Sequence, residues 1–158
     1  MKIRAAIGLG ANLGAKTATI LAARQAIAAL PNVVEMAFSS CYQSAAIPAG
    51  GPDFINAVQL IETQHDAAQL LACLQGIEQQ AGRQRSYPNA PRSLDLDLLL
   101  YGDMCIQTPH LILPHPRLQL RAFVLLPLLE VWPAAWIPGL GAAADFLPAV
   151  QTQTIHKQ

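Results

Sequence analysis

Apolar and polar residues alternate strictly over residues 93–98, and this alternation predicts a β-strand. Asp95 and Asp97 would project from one face of the strand, while the leucines that flank them would face a core. Two positions along a strand separate the carboxylates by about 6.5 Å. Like charges at this distance repel, so the segment predicts either a solvated face or a bound cation.

Other periodic segments predict the elements around this strand. Residues 2–8 indicate a strand that leads into a glycine-rich turn, and an alanine-rich helix over residues 17–30 ends before Pro31. The remaining predictions are strands over residues 33–42 and 54–62, a helix over 66–82, a polar loop over 83–91 and a short helix over 113–117. Strands and helices interleave without a long βαβ series, which favours an α+β sandwich with a largely antiparallel sheet.

The composition of the 158 residues narrows the class of protein. Charged residues make up 13% of the chain and the formal net charge is zero, which argues against a nucleic-acid partner. The length fits one domain with a sizeable core. Prolines and acidic residues interrupt the most apolar stretch, residues 122–150, so we predict no membrane span.

The cysteines and the N-terminal segment bear on the cellular compartment. Cys41, Cys73 and Cys105 show neither metal-binding nor redox spacing, which indicates small buried residues in a reducing environment. Glycines interrupt any signal-peptide core after Met1. We therefore predict a cytoplasmic protein.

The segment from Gly8 to Gly14 does not match a nucleotide-binding fingerprint. A dinucleotide-binding motif would place its third glycine where the chain has Leu13, and a P-loop would need a glycine where Ala15 precedes Lys16. The segment instead predicts a tight turn between a strand and a helix.

Arginines cluster around the aspartate strand. Five of the ten basic residues lie in this region: Arg83, Arg85, Arg92, Arg117 and Arg121. Guanidinium groups suit phosphate oxygens, and a carboxylate pair suits Mg²⁺, which proteins hold through one or two carboxylates together with waters and substrate phosphates. The region therefore predicts a site for magnesium and phosphate. The alternative is an edge strand whose solvated aspartates discourage aggregation, with the arginines as solvated loop charge.

Longer motifs indicate a family. They are Gly82-Arg83-x-Arg85, Pro91-Arg92-Ser93-Leu94-Asp95-Leu96-Asp97, Leu113-Pro114-His115-Pro116-Arg117 and Arg121-x-Phe123-Val124-Leu125-x-Pro127-Leu128. Smaller matches are the turn from Gly10 to Gly14, Tyr42, Asp53-Phe54-x-Asn56-Ala57 and Ile77-Glu78. With these motifs the sequence closely resembles, over nearly its whole length, the 6-hydroxymethyl-7,8-dihydropterin pyrophosphokinases of folate biosynthesis.

The resemblance implies a reaction, a metal and a fold. These enzymes transfer the pyrophosphoryl group of ATP to the hydroxymethyl oxygen of the reduced pterin and release AMP. The resemblance makes Asp95 and Asp97 the ligands of two Mg²⁺ ions, and makes Asp97 a candidate acceptor for the proton of the attacking hydroxyl. It further implies that residues 1–158 form a single pyrophosphokinase domain, a ferredoxin-like αβα sandwich that works as a monomer with ATP and the pterin as its small-molecule partners.

The resemblance also assigns the residues that contact ATP. Arg83 and Arg92 would be catalytic phosphate clamps beside the two aspartates. The full set of ATP-binding positions is Glu78, Arg83, Arg85, Arg92, Leu98, His115 and Arg121. For His115, which lies between two prolines, the alternative is a role in capping a turn. Arg117 has the character of a surface residue.

A reduced pterin needs flat faces for stacking and groups that pair with its amide and amino edges. Phe54 and Phe123 supply the flat faces, and Asn56 supplies both a donor and an acceptor. The loop positions that would assist are Ser44, Ala45 and Ile47. For Phe123 the alternative is ordinary core packing.

Two loops depart from the family pattern. Many relatives have Thr-x-Pro-x-Gly after the tyrosine, where this chain has Ser44-Ala45-Ala46-Ile47-Pro48. The second loop, Ser86-Tyr87-Pro88-Asn89-Ala90, lacks an extra basic residue that relatives often carry. Two alternatives therefore stay open: a paralogue that binds ATP or a pterin without turnover, and a phosphotransferase with a different acceptor.

Overall fold

The computed structural model of the chain describes residues 1–45, 53–82 and 94–158. The helices in these ranges are α1 (Lys16–Ala28), α2 (Ala67–Gly82), α3 (Ala122–Val131) and α4 (Leu147–Val150). The strands are β1 (Ile3–Ala11), β2 (Val33–Phe38), β3 (Tyr42–Ser44), β4 (Phe54–Thr63), β5 (Asp95–Tyr101), β6 (Ile106–Gln107), β7 (Ile112–Leu113), β8 (Trp136–Ile137), β9 (Gly141–Ala142) and β10 (Ile155–Lys157). Short 3-10 helices cover Leu118–Leu120 and Ala143–Phe146.

Six of these strands form one sheet around β4. On one side β1 pairs with the length of β4, from Ile3 opposite Thr63 to Ala11 opposite Ile55. On the other side β2 and β3 follow one another along β4. β5 pairs with the outer side of β1, and β10 pairs with β3. Every one of these pairs is antiparallel, which confirms the predicted sheet type.

Helices cover both faces of the sheet. Ile7 of β1 packs on one face with Ile20 of α1 and Leu70 of α2. Its neighbour Ala6 points to the opposite face, where it packs with Leu125 of α3, because successive residues of a strand alternate between faces. The two cores on either side of the sheet confirm the predicted αβα sandwich.

Strand β1 is longer than predicted. It runs to Ala11, so Gly8 and Gly10 lie within the strand and not in a turn. The turn comes later, where Gly14 adopts a left-handed φ of 64°. The prediction was wrong because glycine is a turn signal in most contexts, whereas here two extended glycines keep part of a sheet face open.

The strand predicted over residues 33–42 is interrupted after Phe38. Ser39 donates its backbone N–H to the carbonyl of Val58 at 2.9 Å, and its Oγ accepts the N–H of Val58 at 2.9 Å. A side-chain oxygen therefore replaces the backbone acceptor at this point. The chain then pairs with β4 again as β3.

The short helix predicted over residues 113–117 is wrong. Leu113 ends β7, and the 3-10 helix begins only at Leu118. Pro114 and Pro116 both lack the backbone N–H that a helix turn uses, so the intervening residues form a bend and a turn. The predicted polar loop over residues 83–91 lies outside the described residues. None of the helices in the described ranges combines the length and apolarity needed to cross a membrane.

Candidate active site

A cavity of about 280 Å³ lies on the α3 side of the sheet, at the end where β1, β3, β4 and β5 come together. Residues predicted for three different roles share its wall. They are Ser44, Ala45, Phe54, Asn56, Asp95, Asp97, Arg121 and Phe123. The structure therefore places the candidate metal, phosphate and pterin groups around one space.

Asp95 and Asp97 project from β5 as the alternation predicted. Both are exposed, whereas the three leucines beside and between them are at most 5% exposed and belong to the core under α1 and α2. β5 lies at an edge of the sheet, as the alternative of solvated aspartates requires. The two carboxylates nevertheless line a cavity wall shared with Arg121 and Phe123, which favours a binding role.

Two glycines of β1 leave space beside these carboxylates. Gly8 is the cross-strand neighbour of Asp97, and Gly10 is the neighbour of Asp95. Directly paired residues lie on the same face of a sheet, so any larger side chain at these positions would project toward the cavity. The predictions from the sequence did not include this role for Gly8 and Gly10. The signal available was the alternation of Gly8 and Gly10 around Leu9 within a strand.

Asn56 and Ser44 form a buried polar pair in the cavity wall. Asn56 Nδ2 donates a hydrogen bond to Ser44 Oγ at 3.0 Å, and each residue is 7% exposed. Tyr42 stands opposite Asn56 in the sheet, and its hydroxyl donates to Glu130 of α3 at 2.5 Å. The strand that carries Ser44 is thus tied both to β4 and to the helix that carries Phe123.

The two phenylalanines and Arg121 line the same cavity. Phe54 begins β4, Phe123 lies in the first turn of α3, and both are half-buried. The guanidinium carbon of Arg121 lies 5.4 Å from the centroid of the Phe123 ring, within range of a cation–π interaction. Partial exposure at a cavity wall argues against core packing as the whole role of Phe123.

Two of the other predicted ATP-contacting residues lie around a second cavity of about 270 Å³. Leu98 and His115 line it together with His110 and Ile112. Asp97 lines both cavities, so the two compartments share this residue.

The surroundings of His115 lower its pKa and so favour the neutral ring. Burial lowers the pKa of the imidazole below its ordinary value of 6.5; the nearby charge of Asp97 opposes this, and the charges of Arg121 and Arg117 add to it. The backbone N–H of Arg117 donates to His115 Nδ1 at 3.2 Å, so Nε2 carries the proton of the neutral ring. His115 therefore closes a local turn, as the alternative proposed, and also offers an N–H donor.

Glu78 contacts the aspartate strand from α2. Its Oε2 accepts the backbone N–H of Leu96 at 2.9 Å, between the two aspartates. This hydrogen bond ties the end of α2 to β5. The ATP contact predicted for Glu78 remains a prediction.

The predicted residues Ile47, Arg83, Arg85 and Arg92 lie outside the described residues. Arg117 was interpreted as a surface residue, and its side chain is exposed, but it also lines the first cavity. The signal that could have found it is its place next to His115 and Pro116 in a motif already used for the family. Arg117 and Arg121 thus supply two guanidinium groups from the described part of the chain.

Comparison with known proteins identifies the family of the chain. A sequence model of the 7,8-dihydro-6-hydroxymethylpterin-pyrophosphokinase family matches residues 6–133. The 2-amino-4-hydroxy-6-hydroxymethyldihydropteridine pyrophosphokinase of Pseudomonas aeruginosa is 40% identical over 155 residues, which cover 98% of this chain and 96% of that protein. The protein of the same name from Haemophilus influenzae is 42% identical over 130 residues, which cover 82% of this chain and 81% of that protein.

Solved structures share the fold. The HPPK-DHPS protein of Plasmodium falciparum, solved with pteroate, matches with a TM-score of 0.75 at 12% identity over 94% of this chain. The chain spans 42% of that longer protein. The fold and the sequence relatives together define an α+β diphosphokinase. The chain belongs to the 7,8-dihydro-6-hydroxymethylpterin-pyrophosphokinase family.

Proposed function

We propose that the cavity beside Asp95 and Asp97 is where this chain carries out the reaction of its family, the transfer of pyrophosphate from ATP to 6-hydroxymethyl-7,8-dihydropterin. One observation carries this proposal. The paired carboxylates, the guanidinium of Arg121, the aromatic side chains and the buried Asn56 all line one space. A pterin bound there would stand next to the phosphate-binding groups, which is the geometry that a direct transfer requires.

The pterin fits the end of the cavity lined by β3, β4 and α3. Phe54 and Phe123 offer partly exposed rings for offset stacking on a flat heterocycle. Asn56 offers amide groups for the edge of that heterocycle, and its bond to Ser44 holds the amide in place. A preorganised amide recognises its partner without the entropic cost of ordering it first.

The aspartates fit Mg²⁺ by their chemistry. Both ligands are oxygen atoms on one exposed strand face, which suits a hard cation. Within residues 1–45, 53–82 and 94–158 there is no cluster of three or more His, Cys, Asp or Glu side chains placed to hold a metal, so phosphate oxygens and waters would complete the coordination. Bound Mg²⁺ would neutralise charge on the phosphates during transfer.

The chain's own residues would orient the reacting groups. Arg121 and Arg117 would bind phosphate oxygens from the α3 side of the cavity, and the Nε2–H of His115 would donate from the neighbouring compartment. The pterin hydroxymethyl oxygen then attacks the β-phosphorus, the bond from that phosphorus to the α,β-bridging oxygen breaks, and AMP leaves. Asp97, which lines both compartments, is the candidate acceptor for the hydroxyl proton.

Two further proposals concern the compartment, the oligomeric state and the domain organisation. We propose a cytoplasmic monomer whose partners are ATP and the reduced pterin, in keeping with the zero net charge and the three free cysteines. We also propose that residues 1–158 act as one domain, since both cores pack on a single sheet.

The test is AMP release by the purified chain from ATP and Mg²⁺, with and without 6-hydroxymethyl-7,8-dihydropterin. Pterin-dependent AMP in equal amount to the pterin diphosphate is the expected result. ADP in place of AMP would identify a phosphotransferase of another type. No product, with ATP and pterin still bound in a titration, would identify a binding protein without turnover.

A further inference from the structure

A side chain near the C-terminus holds the start of helix α3. Gln153 Oε1 accepts the backbone N–H of Ala122 at 2.8 Å, and Gln153 Nε2 donates to the carbonyl oxygen of Leu120 at 2.8 Å. The two bonded backbone groups flank Arg121. Gln153 lies 31 residues beyond Ala122 and outside the family match, which ends at residue 133.

Arg121 is a single extended residue between two helices. Its φ of −125° and ψ of 120° separate the 3-10 helix Leu118–Leu120 from α3. Within the described residues, the Arg121 side chain makes no capping hydrogen bond to α3, so the first N–H groups of the helix need another acceptor. The Gln153 amide supplies one, and it reproduces the pair of hydrogen bonds that a parallel strand makes around an extended residue.

The backbone held in this way carries two cavity side chains. Arg121 and Phe123 lie on either side of Ala122, and both line the cavity that holds the aspartates. A change in the backbone angles at residue 121 would displace the guanidinium relative to the Phe123 ring, from which it now lies 5.4 Å. Displacements of about 1 Å in a phosphate ligand are enough to slow a transfer reaction substantially.

We propose that Gln153 is a positioning residue that acts through Arg121 on ATP binding and turnover. The inference rests on the proposed role of Arg121 as a phosphate ligand. Gln153→Met tests it, because methionine keeps the length of the side chain and removes both hydrogen bonds. Gln151→Met is the matched control, since Gln151 is an exposed glutamine two positions earlier in the same segment.

The experiment compares pterin-dependent AMP release for the wild type, Gln153→Met, Gln151→Met, Arg121→Met and the double variant Gln153→Met with Arg121→Met. We expect Gln153→Met to lower kcat/KM for ATP roughly tenfold, with Gln151→Met unchanged. The double variant should be no slower than Arg121→Met, because the effect of Gln153 passes through Arg121.

Two results would overturn the inference. One is a Gln153→Met variant as active as Gln151→Met, whatever its thermal unfolding temperature, since Gln153 would then be structural only. The other is a double variant whose loss is the product of the two single losses. If Gln153→Met does not fold, Gln153→Glu takes its place in the same assays and is judged by the same criteria. Glutamate keeps the acceptor for the Ala122 N–H and removes the donor to the Leu120 carbonyl.

Failure of the proposed function would look different. A wild-type chain that releases no pterin-dependent AMP would contradict that function alone. Calorimetric titration with a non-hydrolysable ATP analogue would then test Gln153, because Gln153→Met should weaken binding in the wild-type background and not in the Arg121→Met background. Equal weakening in both backgrounds would overturn the inference.

Discussion

Gly10 faces the side-chain amide of Asn56 across the pair of strands β1 and β4, and a methyl group on Gly10 would crowd that amide. A Cβ atom on Gly10 would lie 3.1 Å from Asn56 Oδ1, which is closer than ordinary van der Waals contact. Asn56 is itself bonded to Ser44 at 3.0 Å. Three strands of the sheet therefore meet at one amide in the cavity wall.

Gly10→Ala should impair pterin binding. The new methyl group would push the Asn56 amide away from its bond to Ser44, and we expect KM for the pterin to rise about tenfold with a smaller change in KM for ATP. Steady-state kinetics with each substrate varied in turn would measure this.

Gly76→Ala is the matched control for Gly10→Ala. A Cβ at Gly76, within α2, meets nothing within 4 Å, so this variant should keep wild-type kinetics and gain roughly 0.5–1 kcal/mol in the free energy of unfolding. A Gly10→Ala variant with wild-type KM for the pterin would contradict the proposed place of Asn56 in pterin recognition.

Local patterns were sufficient to predict much of the site. The alternation around Asp95 and Asp97 has the period of a strand, and the leucines at alternate positions decide which face is buried. Six consecutive positions were therefore enough to predict that the two carboxylates are exposed. Asn56 was recognisable because it is a polar residue in an apolar strand. The layer architecture followed from the order of strands and helices.

Contacts between distant segments were not predictable in this way. Glu130 binds Tyr42 across 88 positions, and Gln153 binds Leu120 across 33 positions, yet neither glutamate nor glutamine stands in a local pattern that marks a partner. The break after Phe38 depends on Ser39 and Val58, 19 positions apart, adopting an unusual pairing. Such features require the three-dimensional arrangement because their partners are determined by the packing of whole elements.

The bond between Tyr42 and Glu130 should make stability depend on pH. Burial opposes ionisation of Glu130, but hydrogen bonds from Tyr42 and Ser40 and the charge of Lys157 hold the pKa of the carboxyl below its usual value of 4.5. A carboxyl of this kind stabilises the fold above its unfolded pKa, and that stability is lost as pH falls through the lower pKa of the folded state.

Tyr42→Phe removes one of these hydrogen bonds and should lower the free energy of unfolding by about 1.5 kcal/mol at pH 7. The cost should stay constant down to about pH 4.5 and shrink below it, because a protonated Glu130 no longer gains from a charged hydrogen bond. Urea unfolding at pH 7, 5, 4 and 3 measures the trend.

Tyr101→Phe is the control for this pH dependence. The Tyr101 hydroxyl donates to the backbone carbonyl of His65 at 2.5 Å, and a carbonyl does not titrate in this range. Its removal should therefore cost a similar amount at every pH. A cost for Tyr42→Phe that stays equally flat down to pH 3 would show that the charge of Glu130 adds nothing to the bond.

Asp97→Ala should stop turnover and leave the fold intact. Loss of a residue that only hydrogen-bonds to a metal ligand commonly costs ten- to a hundredfold in activity. Loss of the ligand itself should therefore cost about a hundredfold or more. The side chain is exposed on the strand face, and its removal should change the free energy of unfolding by about 0.5 kcal/mol or less. Rates measured across a Mg²⁺ titration, beside chemical unfolding, check both parts.

Asp103→Ala provides the comparison for the loss of an exposed carboxylate. Asp103 lies in the turn just after β5, outside the cavity, and this variant should keep the Mg²⁺ dependence of the wild type. Magnesium-dependent AMP release by Asp97→Ala at the wild-type rate would rule out the metal assignment.

Arg117→Met should weaken ATP binding more than pterin binding. Arg117 is exposed and lines the aspartate cavity, and a hydrogen bond from a charged group to a phosphate is worth about 1.5 kcal/mol or more, which corresponds to at least a roughly tenfold rise in KM for ATP. The KM for the pterin should change less than twofold, because the aromatic and amide groups that recognise it remain in place.

Arg4→Met separates this effect from a general loss of positive charge. Arg4 is an exposed arginine near the opposite end of β1, where its guanidinium carbon lies 5.5 Å from the centroid of the Trp132 ring. Both variants remove one charge from a chain whose formal net charge is zero, so long-range attraction of ATP changes equally in the two. A higher KM for ATP in Arg117→Met alone would therefore assign the effect to a local phosphate contact, whereas equal changes in both variants would return Arg117 to the surface role first inferred from the sequence.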